Sequence, residues 1–214
     1  MSKIDRFVSY SICLHSYPIY FIKFTYQNHI ALQNEKDIIE RLQKGDEGVF
    51  KQVFDAYKDR IFNTILYMIQ SNEEAEDLAQ EVFVEVFLSI ENFNVQSKLY
   101  TWIYRIAINK ALNHLRFKKA KKRFGTLLSV FNLSPANDIP DFVHPGILLE
   151  NKELSESLYK AINQLPEKQK TAFVLRQLED LSYVEIAEIM QTTIPSVESL
   201  LFRAKQNLQK ILKN

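Results

Sequence analysis

Trp102, Arg105, Asn109, Asn113 and Arg116 recur every three or four residues, so on a helix turning about 100° per residue they share one narrow sector. An indole can stack on an unpaired base, amides can hydrogen-bond base edges, and guanidinium groups can hold phosphates. That combination suits single-stranded or melting nucleic acid. Tyr100 and Tyr104 add aromatic surface, and the run Arg116 to Arg123 places six cations in eight residues beyond the stripe. The plain alternative is a core tryptophan beside ordinary solvated charges.

A second set is acidic. Glu73, Asp77, Glu81 and Glu85 recur at four-residue intervals and line one helix face. Like charges at that spacing oppose each other by some tenths of a kcal/mol per pair, roughly, unless a cationic surface uses them. The stripe therefore reads either as a docking face for a basic protein surface or as a solvated face. An enzyme-class alternative, a metal-dependent nuclease built on Glu73, Asp77 and Glu81, finds no histidine nearby in sequence, and one helix face rarely completes a coordination sphere. No metal and no cofactor are expected.

The third set lies near the C-terminus, where Ser182 to Arg203 has the spacing of a helix-turn-helix. Ala187 permits a close crossing, Gln191, Thr192 and Thr193 make the turn, and Val197 and Leu200 face back onto Ile186 and Met190. A recognition helix presents its N-terminal residues to the major groove. Here those are Thr193, Ser196, Ser199 and, further along, Arg203, with Lys205 and Gln206 near the DNA backbone. A plain helical hairpin is the alternative.

These groups need helices to hold them, and the pattern supplies them. From Lys36 apolar residues fall on helical spacing: Ile38, Ile39 and Leu42 before Gly45, then Val49, Phe50, Val53, Phe54, Tyr57, Ile61, Ile65 and Met68. Ser71 with Glu74 fits a capping box that opens a third helix over about Asn72 to Glu91, burying Leu78, Val82, Phe83, Val86 and Phe87. A fourth helix spans about Leu99 to Lys119. Residues 124 to 149, with Pro135, Pro140 and Pro145, mark a linker. Further helices follow at about 151 to 164, 166 to 178, Ser182 to Met190 and Pro195 to Leu212.

Composition agrees with a helical globular chain. Among 214 residues only four are glycine and six proline, which disfavours a turn-rich all-β fold. A single cysteine, Cys13, excludes an intramolecular disulfide and points to a reducing compartment. The stretch Phe7 to Ile22 carries no formal charge, but Ser9, Ser11, His15, Ser16 and Pro18 interrupt it, so neither a signal peptide nor a membrane span is expected. The formal net charge of +1 conceals segregation: residues 35–99 hold 7 basic and 14 acidic groups, whereas residues 100–123 hold eight basic groups and no acid. Two partners of opposite sign are implied, a polyanion on the basic side.

The stretches DLAQEVFVEVF, LYTWIYRIAINKALNHLR and LPEKQKTAFVLRQLEDLSYVEIAEIMQTTIPSVESLLFRAKQNL, in that order, resemble bacterial RNA polymerase sigma factors of the extracytoplasmic-function (ECF) type. The likeness covers about residues 36 to 214. It implies an all-α fold of two small helical domains joined by a flexible linker: a region-two domain over 35–120, a linker over 121–150, and a region-four helix-turn-helix domain over 151–214; residues 1–34, outside the likeness, read from their composition as an aromatic-rich N-terminal extension. It implies a non-enzymatic, cytoplasmic transcription initiation subunit, not itself a membrane protein. Its implied partners are core RNA polymerase (the β′ coiled coil and the β flap), promoter DNA and an anti-sigma protein.

The resemblance also implies residue roles. Asp77, Gln80 and Glu81 match positions set against the basic β′ coiled coil. Tyr100, Thr101, Trp102, Arg105, Asn109 and Asn113, with Arg116 extending the track, match the segment that contacts and melts the promoter, and the loop from Phe93 to Lys98 is expected to help capture an extruded base. Holding a flipped base must offset a few kcal/mol, roughly, of unstacking. The helix from Pro195 matches the reader of the farther promoter element. Two positions depart from the family pattern: Glu198 and Leu200 stand where basic residues are frequent, and Gln96 stands where the loop usually has glycine. A free-standing helix-turn-helix regulator is the alternative function; it would leave Trp102 and the acidic face without a use.

Overall fold

The computed structural model describes residues 35–94, 97–129 and 152–213, with the side chains of 124–129 and 152–156 excepted. The expected extension over 1–34 and the linker from 130 onward lie outside the described residues. The chain divides into two compact units. The described part of the first holds α1 (Glu35–Gln43), α2 (Glu47–Ile69), α3 (Asn72–Ser89), a single 3-10 turn (Ile90–Asn92) and α4 (Leu99–Ser129). That of the second holds α5 (Lys152–Asn163), α6 (Glu167–Gln177), α7 (Tyr183–Ile189) and α8 (Ile194–Lys213). All regular elements among the described residues are helical.

In the first unit α2, α3 and α4 pack mutually, and α1 lies against α2 and the 3-10 turn. The apolar stripes meet in a core of Ile39, Val53, Ile61, Ile65, Val82, Val86, Leu99, Ile103 and Ala107, all buried. Each large aliphatic side chain so buried contributes about 1.5–3 kcal/mol relative to exposure. Gly45, at φ +77°, ends α1: its N–H donates to the Leu42 carbonyl and the Asp46 N–H to the Arg41 carbonyl, so that carbonyls of the last turn find partners. Asp46 then starts α2, accepting a hydrogen bond from the Val49 N–H at 3.1 Å and pairing with the Arg41 guanidinium at 2.8 Å. The Arg41 hydrogen bond, with that from Val49, holds the Asp46 carboxyl below its ordinary pKa.

Ser71 does precede α3, but its side chain makes no cap hydrogen bond. The expected capping box is absent because Glu74 is drawn to the side: its carboxylate meets Lys118 Nζ at 2.7 Å and His114 Nε2 at 3.3 Å, both on α4. Phe87, expected in the core, is 46% exposed; its ring touches Phe50 edge-on with centroids 5.1 Å apart. The fourth helix outlasts its expected end at Lys119 and runs to Ser129, so the first part of the expected linker is helical. No proline interrupts residues 99–129, and Ala120 to Arg123 are strong helix formers.

In the second unit α8 packs on α5, α6 and α7 through buried Val197, Leu201, Ala204 and Leu208. An Asn207 Nδ2 to Gln169 Oε1 hydrogen bond of 2.8 Å adds a polar tie between α8 and α6. The short α7 is fixed at both ends. Ser182 and Glu185 form a reciprocal capping box at its start. At its end Gln191 takes a left-handed conformation, φ 51°, while its N–H and that of Thr192 donate to the Glu188 and Ala187 carbonyls. That closure ends α7 and leads the chain directly into α8.

Candidate functional site

On α3, Asp77, Gln80 and Glu81 are all exposed on one face. The face does not end with them. Val84 and Leu88 continue the same sector, with Phe87 beside it, at 59%, 71% and 46% exposure. An acidic half thus runs into an apolar half. The carboxylates also have a cation of their own: Lys110 of α4 reaches Glu81 Oε2 at 3.3 Å and Glu85 Oε2 at 3.0 Å. Burial pushes the Lys110 ammonium toward deprotonation, but the hydrogen bonds to Glu85 and Glu81 outweigh it and raise its pKa. With the Glu74 cluster, Lys110, His114 and Lys118 form an i, i+4, i+8 row on α4 that zips onto α3. His114 is a histidine close in space that sequence distance concealed. Among the described residues no group of His, Cys, Asp and Glu could hold a metal ion.

On α4 the stripe is presented unevenly. Asn109, Asn113 and Arg116 are exposed, and Tyr100, Trp102 and Arg105 are half-buried. Arg116 Nη1 donates to Asn113 Oδ1 at 3.2 Å. The Trp102 ring lies against Phe93, centroids 4.9 Å apart and planes tilted by 43°. Lys98 Nζ bonds the Tyr100 hydroxyl at 3.2 Å. The Arg105 Nε is buried with no hydrogen-bond partner. Two residues named in the sequence analysis turn inward instead. Thr101 is fully buried and its hydroxyl has no partner. Tyr104 is fully buried with the Arg60 guanidinium 5.8 Å from its ring centre, so it does not widen the exposed aromatic set.

On α8, Thr193, Ser199 and Arg203 are exposed, and Ser196 and Lys205 are half-buried. Thr193 Oγ1 accepts the Ser196 N–H at 3.4 Å and so occupies the cap position. Phe202, absent from the sequence reading, stands 61% exposed beside Arg203. Its signal was spacing: it follows Ser199 by one helical turn.

The structural neighbours are helical proteins of the same fold. The chain superposes with a TM-score of 0.62 on CnrH, solved in complex with the cytosolic domain of CnrY, at 17% identity over 84% of this chain and 97% of that one. It superposes with a TM-score of 0.59 on the sigma factor RpoE of Bartonella quintana, solved with the anti-sigma factor NepR, at 22% identity over 77% and 96%. Two family matches fall on the two units: Sigma-70 region 2 on residues 53–121 and Sigma-70 region 4 on residues 155–208. The RNA polymerase sigma-H factor of Pseudomonas aeruginosa is 33% identical over 86% of this chain and 96% of its own length. The ECF RNA polymerase sigma factor SigW of Bacillus subtilis is 32% identical over 84% and 97%. A free-standing helix-turn-helix regulator is not favoured, since it would account for only one of the two units. With both regions in order and relatives matched along nearly their whole length, the chain belongs to the RNA polymerase sigma factors of the ECF type.

Proposed function

We propose that this sigma factor engages core RNA polymerase through α3 and promoter DNA through α4 and α8. The observation that carries the reading is the pairing, on one small unit, of an acidic-to-apolar face on α3 with an aromatic, amide and arginine stripe on α4. Asp77, Gln80 and Glu81 would meet the basic β′ coiled coil, with Val84, Phe87 and Leu88 burying apolar surface alongside. Trp102 would stack on an unpaired base while Tyr100, Arg105, Asn109 and Asn113 contact bases and Arg116 holds phosphate. Thr193, Ser196, Ser199 and Arg203 would read the farther element in the major groove, Lys205 would hold its backbone, and the region-four unit would rest on the β flap. Thr101, being buried, would act only by fixing the first turn of α4.

The chain acts on DNA by binding energy alone, as a non-enzymatic subunit working in the cytoplasm. No helix among the described residues is long and apolar enough to cross a membrane. Two structural neighbours were solved in complex with another protein, the cytosolic domain of CnrY for one and the anti-sigma factor NepR for the other, and the second supports an anti-sigma partner for this chain. The test is permanganate reactivity of the promoter bubble. Holoenzyme carrying Trp102→Ala should open the promoter poorly, since losing a base stack costs about 1–3 kcal/mol. A bubble as reactive as wild type, from folded protein, would make Trp102 a core residue only.

A further inference from the structure

The α1 helix lies before the region-two match, which starts at residue 53, and it carries none of the proposed contact residues. Its two ends nevertheless reach the two ends of the segment that leads into α4. At the C-terminal end, Gln43 Nε2 donates to the Phe93 carbonyl at 3.1 Å and to the Ile90 carbonyl at 3.3 Å. These bonds span about 50 residues and come from one side-chain amide nitrogen. The Ile90 carbonyl also accepts the Phe93 N–H at 3.0 Å, so the 3-10 turn is locked from two sides.

At the N-terminal end, Glu35 Oε1 accepts the Leu99 N–H at 2.7 Å. Leu99 opens α4, and its N–H is among the first-turn donors that have no partner within the helix. A carboxylate there satisfies one of them and faces the positive end of the helix dipole. The cap comes from another helix, 64 residues away, instead of from the residue before the helix.

Both ties converge on one side chain. Phe93, held by Gln43, packs its ring on Trp102, and the helix turn that carries Trp102 starts at the N–H held by Glu35. We infer that α1 is the positioning element of the base-contacting end of α4: Gln43 and Glu35 fix the angle at which Trp102 and Tyr100 meet an unpaired base. This rests on the DNA role proposed for α4. A contact that discriminates between bases depends on angle more steeply than one that holds phosphate, so positioning by α1 acts on specificity before affinity.

The experiment uses holoenzyme on fork DNA from a promoter it transcribes, with each base of the single-stranded non-template segment replaced in turn. Gln43→Glu removes the donor nitrogen and sets a carboxylate against two carbonyls; Gln43→Asn, one methylene short, is the milder variant should the first not fold. Glu35→Ala removes the cap, and Glu35→Gln keeps an acceptor oxygen at the same reach. The preference for the native base beside Trp102 should fall by about fivefold to tenfold in Gln43→Glu or Gln43→Asn and in Glu35→Ala, at the lower end of what one base contact contributes. Glu35→Gln should retain it, and affinity for core polymerase should stay within about twofold of wild type, a margin of some 0.4 kcal/mol. An unchanged preference, or equal losses for every base and for core polymerase, overturns the inference. Trp102→Ala separates the two layers: if it too is silent, the DNA face is misassigned and the inference falls with it, whereas if it alone acts, only the inference falls.

Discussion

Replacing Lys110 by methionine tests whether the acidic face of α3 is an interface held in internal balance. The ammonium sits 3.0 Å from Glu85 and 3.3 Å from Glu81, and both carboxylates are about half exposed, at 49% and 60%. Pairs with that much solvent access contribute about 0.2–1 kcal/mol each. Methionine preserves most of the buried stem, so Lys110→Met should destabilise the unit by roughly 0.5–1.5 kcal/mol, read as a lowered midpoint in urea. Docking should move the other way. Glu81 no longer shares its charge, and a cation of the polymerase gains about what Lys110 held, which is a rise in affinity of about 1.5- to 5-fold. Titrating labelled protein with core polymerase checks this. The gain should be clear near about 0.1 M salt and shrink toward about 1 M, where the screening length falls from about 10 to 3 Å. Affinity that drops as far as in Asp77→Ala would refute the reasoning, because Lys110 would then organise the face instead of competing for it.

Three further outcomes are expected. Partial burial pushes the Glu74 carboxyl up, but Lys118 and then His114 outweigh it, so its pKa in the folded protein lies below the ordinary value. A depressed folded pKa means stability that is present above the unfolded value, 4.5, and lost as pH falls through the folded one; Glu74→Gln should flatten that acid limb in a denaturation series. Ser182→Ala breaks the capping box of a seven-residue helix and should cost about 1 kcal/mol, measured as a lower Tm of region four. Arg203→Ala should reduce the slope of log affinity against log salt for holoenzyme on promoter DNA by about 0.9 if this side chain holds one phosphate.

Much of this architecture was legible because helices are local. Periodicity located all eight α-helices among the described residues, and the turn over Gln191 to Thr193 matched its spacing. What escaped was non-local. Glu74 reads as a capping residue from Ser71 alone, yet Lys118, 44 positions away, competes for it. The acidic stripe reads as unpaired because Lys110 is 29 positions off, on a helix whose facing side only packing decides. Tyr104 reads as part of the aromatic surface by residue type, and Thr101 as part of the DNA segment by family resemblance, but both side chains are fully buried. Phe87 shows the reverse, since an apolar residue at core spacing meets only the edge of Phe50 on α2 and stays 46% exposed. The ties from Gln43 and Glu35 carry no sequence signal, for a glutamine and a glutamate on a short amphipathic helix read as solvated.

The central claim is that this chain turns core polymerase into a promoter-specific enzyme. Run-off transcription on genomic promoter fragments, with core polymerase alone, with the protein added, and with Asp77→Ala added, measures it directly. The expected result is discrete transcripts that appear only with the wild-type chain and weaken sharply with Asp77→Ala. Transcription no different from core alone on every fragment, with the protein instead binding duplex operators as an independent species, would contradict the account.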